Sequence, residues 1–173
     1  RLIATGGRGG YRMDADSRVP KPYITADYAS HNGMNGDNIN DIYVDGGDRI
    51  WLANYPAGVT IRNNRYQSYE WFRHSPGNSR SLVNDQVHDV IEDSEGDLWF
   101  ATSNGISLLQ PAVGRWRSFL SRSDGIQDGG NHIFLTLCEV SPGVICAGGY
   151  ASGLYRIEKK TGRVEYFPPS FAA

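Results

Sequence analysis

The stretch IEDSEGDLWFATSNGISLL, Ile91 to Leu109, contains an acidic turn, a tryptophan and two glycines within nineteen residues. Alone it could cradle a ligand or shape a tight hairpin. The rest of the chain decides, because the pattern recurs in YVDGGDRIWLANYPAGVTI (Tyr43–Ile61) and in LCEVSPGVICAGGYASGLYRI (Leu137–Ile157). Each copy has a β-rich run, a polar or Pro/Gly turn, and a second apolar run ending in alanine. A small-residue loop and a glycine-led apolar run follow. The alanines are Ala53, Ala101 and Ala147, and the glycines Gly58, Gly105 and Gly153. A truncated copy opens the chain, LIATGGRGGYRM, and places Leu2 where Trp51, Trp99 and Ile145 stand, at spacings of 49, 48 and 46 residues.

A second marker keeps the same period. RYQSY, RWRSF and RVEYF begin at Arg65, Arg115 and Arg163, 50 and 48 residues apart. A third, upstream of each hairpin, matches Ile39 with Val87 and Ile133. Within one period four strands are expected, at Val87–Asp93, Asp97–Thr102, Gly105–Leu109 and Arg115–Leu120. The first alternates apolar and polar residues, as a strand with two different faces does. The turns SEGD and GGDR have hairpin chemistry. Four antiparallel strands per period of roughly 48 residues describe a β-propeller blade. The fold class is therefore all-β, a partial propeller of about three and a half four-stranded antiparallel blades. As one domain it divides near residues 1–30, 31–78, 79–125 and 126–173. Trp51 and Trp99 are expected to fill space between blades, Ala53, Ala101 and Ala147 to permit close approach, and the glycines to turn the backbone.

Composition agrees. The 173 residues suffice for a hydrophobic core without disulfides or metal. Twenty-one glycines and ten tyrosines beside two methionines favour short strands and turns. Seventeen basic and nineteen acidic residues give a net charge of −2 with no basic run. That argues against a nucleic-acid partner and against contact of this segment with an anionic membrane. No apolar segment approaches the roughly 20 residues that span a bilayer. The opening RLIATGGRGG reads as strand and lacks the layout of a signal peptide, which points to a fragment of a longer protein. Cys138 and Cys146 flank Pro142 symmetrically. They are read as two buried free thiols or as partners facing each other across a hairpin, so an oxidising compartment is permitted and not shown.

The segment VNDQVHDVIEDSEGDLWFATSNGISLL resembles the two-component regulator propeller repeat. The resemblance rests on Asn84, Val87, Asp93, Gly96, Leu98–Trp99, Ala101–Thr102 and Gly105. The blade from Asn38 departs at Gly46 and Asn54, and that from Asn131 has Ile145 for tryptophan. The resemblance implies a periplasmic, ligand-sensing propeller segment of an inner-membrane hybrid sensor histidine kinase, with an oligosaccharide as ligand. Two alternatives from other classes are a propeller lyase of the streptogramin-inactivating type and a structural protein-interaction propeller.

No catalytic constellation, cofactor motif or metal-ligand spacing is visible. His31, His74, His88 and His132 lie far apart, and His88 reads as a polar strand position. Asp93, Glu95 and Asp97 resemble part of a calcium loop but lack its downstream glutamate, so a hairpin turn is expected. GGRGG at Gly6–Gly10 precedes no helix and is read as a loop between strands. Recognition is expected in the loops between blades, Arg73–Asp85 and Ser121–Asn131. A sugar would need aromatic faces and hydroxyl partners, which makes Trp71, Arg73, His74, Arg80 and His132 the candidate ligand-binding residues. Blade faces left open are expected to make the chain self-associate as a homo-oligomer.

Overall fold

A computed structural model describes residues 1–26, 34, 36–66, 68–122 and 131–169. Three consecutive four-stranded antiparallel sheets carry the architecture. The first is β4 (Ile39–Val44), β5 (Arg49–Asn54), β6 (Gly58–Asn63) and β7 (Ser68–Phe72). The second is β8 (Val87–Glu92), β9 (Leu98–Thr102), β10 (Gly105–Gln110) and β11 (Arg115–Phe119). The third is β12 (Phe134–Ser141), β13 (Val144–Gly149), β14 (Gly153–Glu158) and β15 (Val164–Phe167). They are preceded by a three-stranded sheet of β1 (Leu2–Ala4), β2 (Gly10–Arg12) and β3 (Lys21–Ile24). A 3-10 turn spans Pro111–Val113 between the third and fourth strands of the second full blade. None of the described helices is long and apolar enough to cross a membrane.

The sheets stack face to face like blades. Trp51, Ala53, Val59 and Ile61 of the first full blade pack on Val90, Leu98, Phe100 and Leu109 of the second. The other face of the second, Trp99, Ala101, Ile106 and Leu108, packs on Leu137, Ile145, Tyr155 and Ile157 of the third. Alternation along each strand is what lets one blade serve two interfaces. Both central strands of the second blade are consequently buried on both faces, and the polar Thr102 and Ser107 of LWFAT and GISLL are buried with their apolar neighbours.

The turn glycines have a steric reason. Gly58, Gly105 and Gly153 take φ of +82°, +99° and +89°. A Cβ on any of them would collide with the carbonyl oxygen of Phe72, Phe119 or Phe167 on the outer strand. Gly9, φ +74°, does the same work against Ile24 in the incomplete sheet.

These glycines also fix the register, and they correct the alignment of the third blade. Gly58 pairs with Asn54, Gly105 with Thr102 and Gly153 with Gly149. The residue preceding each of those partners is Ala53, Ala101 and Gly148. Gly148, not Ala147, thus holds the alanine position, and Cys146, not Ile145, holds the tryptophan position. On the inner strand Phe134, not Ile133, pairs as Ile39 and Val87 do. Burial shows why: Ile145 and Ala147 are fully buried against the second blade, on the face where Leu98 and Phe100 lie in theirs. The loop from Gly149 to Gly153 has the length of that from Asn54 to Gly58, and the apparent match arises because Ile145 and Ala147 repeat the apolar-x-Ala spacing of Trp51 and Ala53.

A carboxylate organises each of the two tryptophan-bearing hairpins. Asp93 Oδ1 accepts the backbone N–H groups of Glu95 and Asp97, both at 3.0 Å, while its Oδ2 accepts the Trp99 indole N–H at 2.8 Å. Asp45 repeats this with Gly47 at 2.9 Å, Arg49 at 3.0 Å and the Trp51 indole at 2.9 Å. Burial alone would raise both carboxyl pKa values. The bonds from Lys159, Trp99 and Asp97 outweigh it at Asp93, and those from Trp51 and Arg49 at Asp45, so both lie below the ordinary range. In the third blade Val140, 56% exposed, stands in the aspartate position, and Glu139 Oε1 accepts the hairpin N–H of Gly143 at 2.9 Å instead.

Candidate functional site

Polar ties between blades fall into two sets, one at each end of the sheets. At the hairpin end the Tyr43 hydroxyl donates to Glu92 Oε2 at 2.6 Å, and burial followed by this carboxylate pushes the phenol up to about 12. Ser94 donates through N and Oγ to Glu139 at 2.7 and 2.9 Å. Lys159 Nζ reaches across from the third blade to Asp93, Glu95 and Asp97 at 2.6, 2.7 and 2.8 Å. The acidic trio is therefore a hairpin that houses an ammonium group. Burial would lower the Lys159 pKa, but its carboxylate partners more than reverse that and hold it charged. Among the described residues, no three His, Cys, Asp or Glu side chains converge as a metal site.

The opposite end carries the connections between blades and the loops between second and third strands. Along the inner strands, Asp41 Oδ2 accepts the Val90 N–H at 3.2 Å and Asp89 Oδ2 accepts the Leu137 N–H at 2.6 Å, so one side chain per blade repeats the same bridge. Burial, then the neighbouring Asp41 carboxylate, raises the Asp89 pKa to about 6, against the bond from Leu137.

Beside this bridge lies a polar cluster. Asn40 Nδ2 donates to the Val87 carbonyl at 2.9 Å, which fixes the amide orientation, and sits 3.4 Å from His88 Nδ1. On the other side of the ring, His88 Nε2 is hydrogen-bonded to Ser103 Oγ at 2.8 Å. Burial lowers the His88 pKa and keeps the ring neutral. Tyr55 lies over the His88 ring at 5.7 Å and its hydroxyl accepts from Gln86 Nε2 at 3.1 Å.

On the rim at the same end, the connection from β7 to β8 folds over β11 and leaves a groove of about 580 Å³. His74, Asn78, Ser79, Ser81, Trp116 and Ser118 are among its lining residues. Asp85 Oδ1 takes the His74 N–H at 2.6 Å, and Ser81 Oγ donates to the Asn78 carbonyl at 2.9 Å, which holds the loop in one shape. The Trp116 ring packs inward on Phe72 and Phe100, at 5.2 and 6.0 Å, and lends one part of its surface to the groove.

Of the five residues singled out by sequence, the structure brings His74 alone into this groove. Its Nδ1–H donates to the Leu82 carbonyl at 2.8 Å, so the ring clamps the loop. His132, in the next connection with φ +58°, binds the Leu120 carbonyl in the same manner at 2.8 Å. Trp71 is 39% exposed on the outer strand, and Arg73 and Arg80 are exposed outside the groove. His31 and most of the loop Ser121–Asn131 lie outside the described residues. Trp116 and Ser118 were hidden in the repeated marker RWRSF. The contacts of His88 join residues 15 and 48 positions away and leave no local signal.

Stacked four-stranded blades of this kind define a β-propeller. Comparison with known proteins agrees: residues 81–104 match the family described as two component regulator propeller, so the second full blade carries that repeat. The chain superposes on the extracellular domain of BT3049 from B. thetaiotaomicron, described as a hybrid two component system, with TM-score 0.78 and 22% identity. That match covers 96% of this chain and 23% of the other. The corresponding domain of BT4673 from the same organism gives 0.68 and 19%, over 96% and 22%. A catalytically inactive H270A virginiamycin B lyase from Staphylococcus aureus gives 0.64 and 10%, over 97% and 54%. These identities establish the fold, and the chain spans less than a quarter of the two extracellular domains. No curated protein matches it.

The raised Asp89 pKa has a consequence with a definite sign. Between pH 3.8 and about 6 the folded chain holds a proton that the unfolded chain has released. This group therefore favours folding most at low pH, and its contribution falls as pH rises through 6. Asp89→Asn mimics the protonated form and retains an acceptor for Leu137. The difference in urea midpoint, variant minus wild type, should grow from pH 4.5 to pH 7.5. A difference independent of pH would show that Asp89 is not titrating in this window.

Proposed function

We propose that the chain is part of an extracytoplasmic, ligand-sensing propeller of a two-component sensor kinase anchored in the inner membrane, and that its ligand is an oligosaccharide. The single observation that carries the sensor reading is the two component regulator propeller repeat at residues 81–104, in a fold shared with two such extracellular domains. The ligand class is supported by the rim groove, where several hydroxyl and amide groups surround an aromatic edge. Sugars are recognised by that combination, through hydrogen bonds to hydroxyls and apolar contact with a ring face. Signalling requires that the ligand favour one arrangement of the whole ectodomain over another. The lyase reading rests on a shared fold at 10% identity, and no residue grouping among the described residues favours it.

Trp116 gives a direct readout, since its ring borders the groove. Titration of the chain with a panel of neutral and acidic oligosaccharides should produce a saturable change in tryptophan fluorescence with at least one member. Ser79→Ala combined with Ser118→Ala should weaken it about tenfold, the loss of two hydrogen bonds. Binding to no oligosaccharide, or binding indifferent to the double variant, contradicts the assignment.

We also infer that the isolated chain self-associates. The outward face of the third blade shows Leu154 and Phe167 at 42% and 47% exposure, at the positions where Ile106 and Phe119 are buried by a following blade. Sedimentation velocity should show dimers or larger species as concentration rises, and Leu154→Lys should reduce them. A monomer at every concentration would refute this.

A further inference from the structure

The third blade lacks the carboxylate–indole tie, since Val140 and Cys146 occupy the positions of Asp93 and Trp99. The corrected register puts a second cysteine directly opposite Cys146. Cys138 pairs with Cys146 across β12 and β13, where Ile91 pairs with Trp99 and Tyr43 with Trp51. Directly opposed residues share a face of the sheet. We propose that Cys138 and Cys146 form a disulfide across these strands, a covalent substitute for the tie that holds the other two full blades.

Four observations carry this. Both cysteines are free thiols as the structure stands, Cys138 exposed and Cys146 half-buried. Opposed residues in an antiparallel pair have Cα atoms about 4.5 or 5.5 Å apart, and both values fall inside the roughly 4.4–6.8 Å range of disulfides. The pair faces away from the second blade, whose side is taken by Leu137, Ile145 and Ala147, so no core packing opposes it. The third hairpin also keeps only Glu139 as its side-chain cap, with no indole reaching that acceptor.

The reaction is thiol–disulfide exchange with a small-molecule or protein disulfide as oxidant. Burial raises the Cys146 thiol pKa, so the exposed Cys138 is the first to react. Its thiolate attacks one sulfur of the oxidant and expels the other as a thiolate. Cys146, once deprotonated, attacks the Cys138 sulfur of the mixed disulfide and expels the second. Two protein thiols are oxidised to one disulfide and one disulfide is reduced to two thiols. Occurrence in the cell rests on the extracytoplasmic location proposed above, whereas the chemistry does not.

The test uses the whole chain equilibrated with oxidised glutathione at neutral pH, followed by thiol counting in denaturant and intact mass. No free thiol, a mass lower by two hydrogens and a monomeric non-reducing band are expected. The melting temperature should rise by about 5–10 °C over the reduced protein, as for a short closed loop in a domain of this size. Cys138→Ser and Cys146→Ser should each abolish the rise. Two persistent thiols, stable glutathione adducts, intermolecular dimers, or a fall in melting temperature would overturn the proposal. Each of those results leaves the oligosaccharide titration unaffected, so failure of this inference is separable from failure of the sensor reading.

Discussion

The fold depends on one small constellation, a hairpin aspartate that binds its own turn with one oxygen and a tryptophan indole with the other. The turn would close without the tryptophan, and the tryptophan would be buried without the turn. Joined, they fix where the largest side chain of each tryptophan-bearing blade sits, and through it the spacing to the next blade. A buried indole N–H needs an acceptor, and a buried carboxylate needs donors. Each meets the other's need. At Asp93 the arrangement also receives Lys159 from the neighbouring blade, so the local turn becomes an anchor between sheets.

That anchor and the inner-strand bridges hold opposite ends of the interface. Lys159 ties the hairpin end, and Asp41 and Asp89 tie the other. With both ends fixed, the connections between blades can differ in length and composition without disturbing the core. This is why the groove and the Asn40–His88–Ser103 cluster lie at the end where those connections run. The carboxylate bridges differ in electrostatic character: Asp93 is held ionised by donors, whereas Asp89, close to Asp41, retains its proton more readily. The hairpin end is built on charge attraction, and the other end carries residual repulsion.

Much of this was legible in the chain because tryptophan, aspartate and glycine have restricted roles. The period, the all-β class and the strands of the second full blade follow from Asp93, Gly96, Trp99 and Gly105. The third blade was read one residue out of register, since Ile145 and Ala147 repeat the apolar-x-Ala spacing of Trp99 and Ala101. Alternation with a period of two cannot distinguish the faces of a strand whose marker residue is missing. Only pairing to Gly153 and burial against the second blade reveal that Cys146 and Gly148 hold those positions. The site was less legible still. Its groove joins a loop to an outer strand more than thirty residues away, and its histidine, His74, is spent on a backbone carbonyl.

The central claim is that carboxylate and indole act together. A double-mutant cycle of Asp93→Asn and Trp99→Phe, followed by urea unfolding, isolates their coupling from the packing of the ring and from the Lys159 contact. The account predicts that the sum of the two single losses exceeds the loss in the double variant by about 1.5–3 kcal/mol, the worth of a hydrogen bond to a charged group. Effects that simply add, within about 0.3–0.5 kcal/mol, would mean that aspartate and tryptophan stabilise the blade independently and that the tie does not organise the fold.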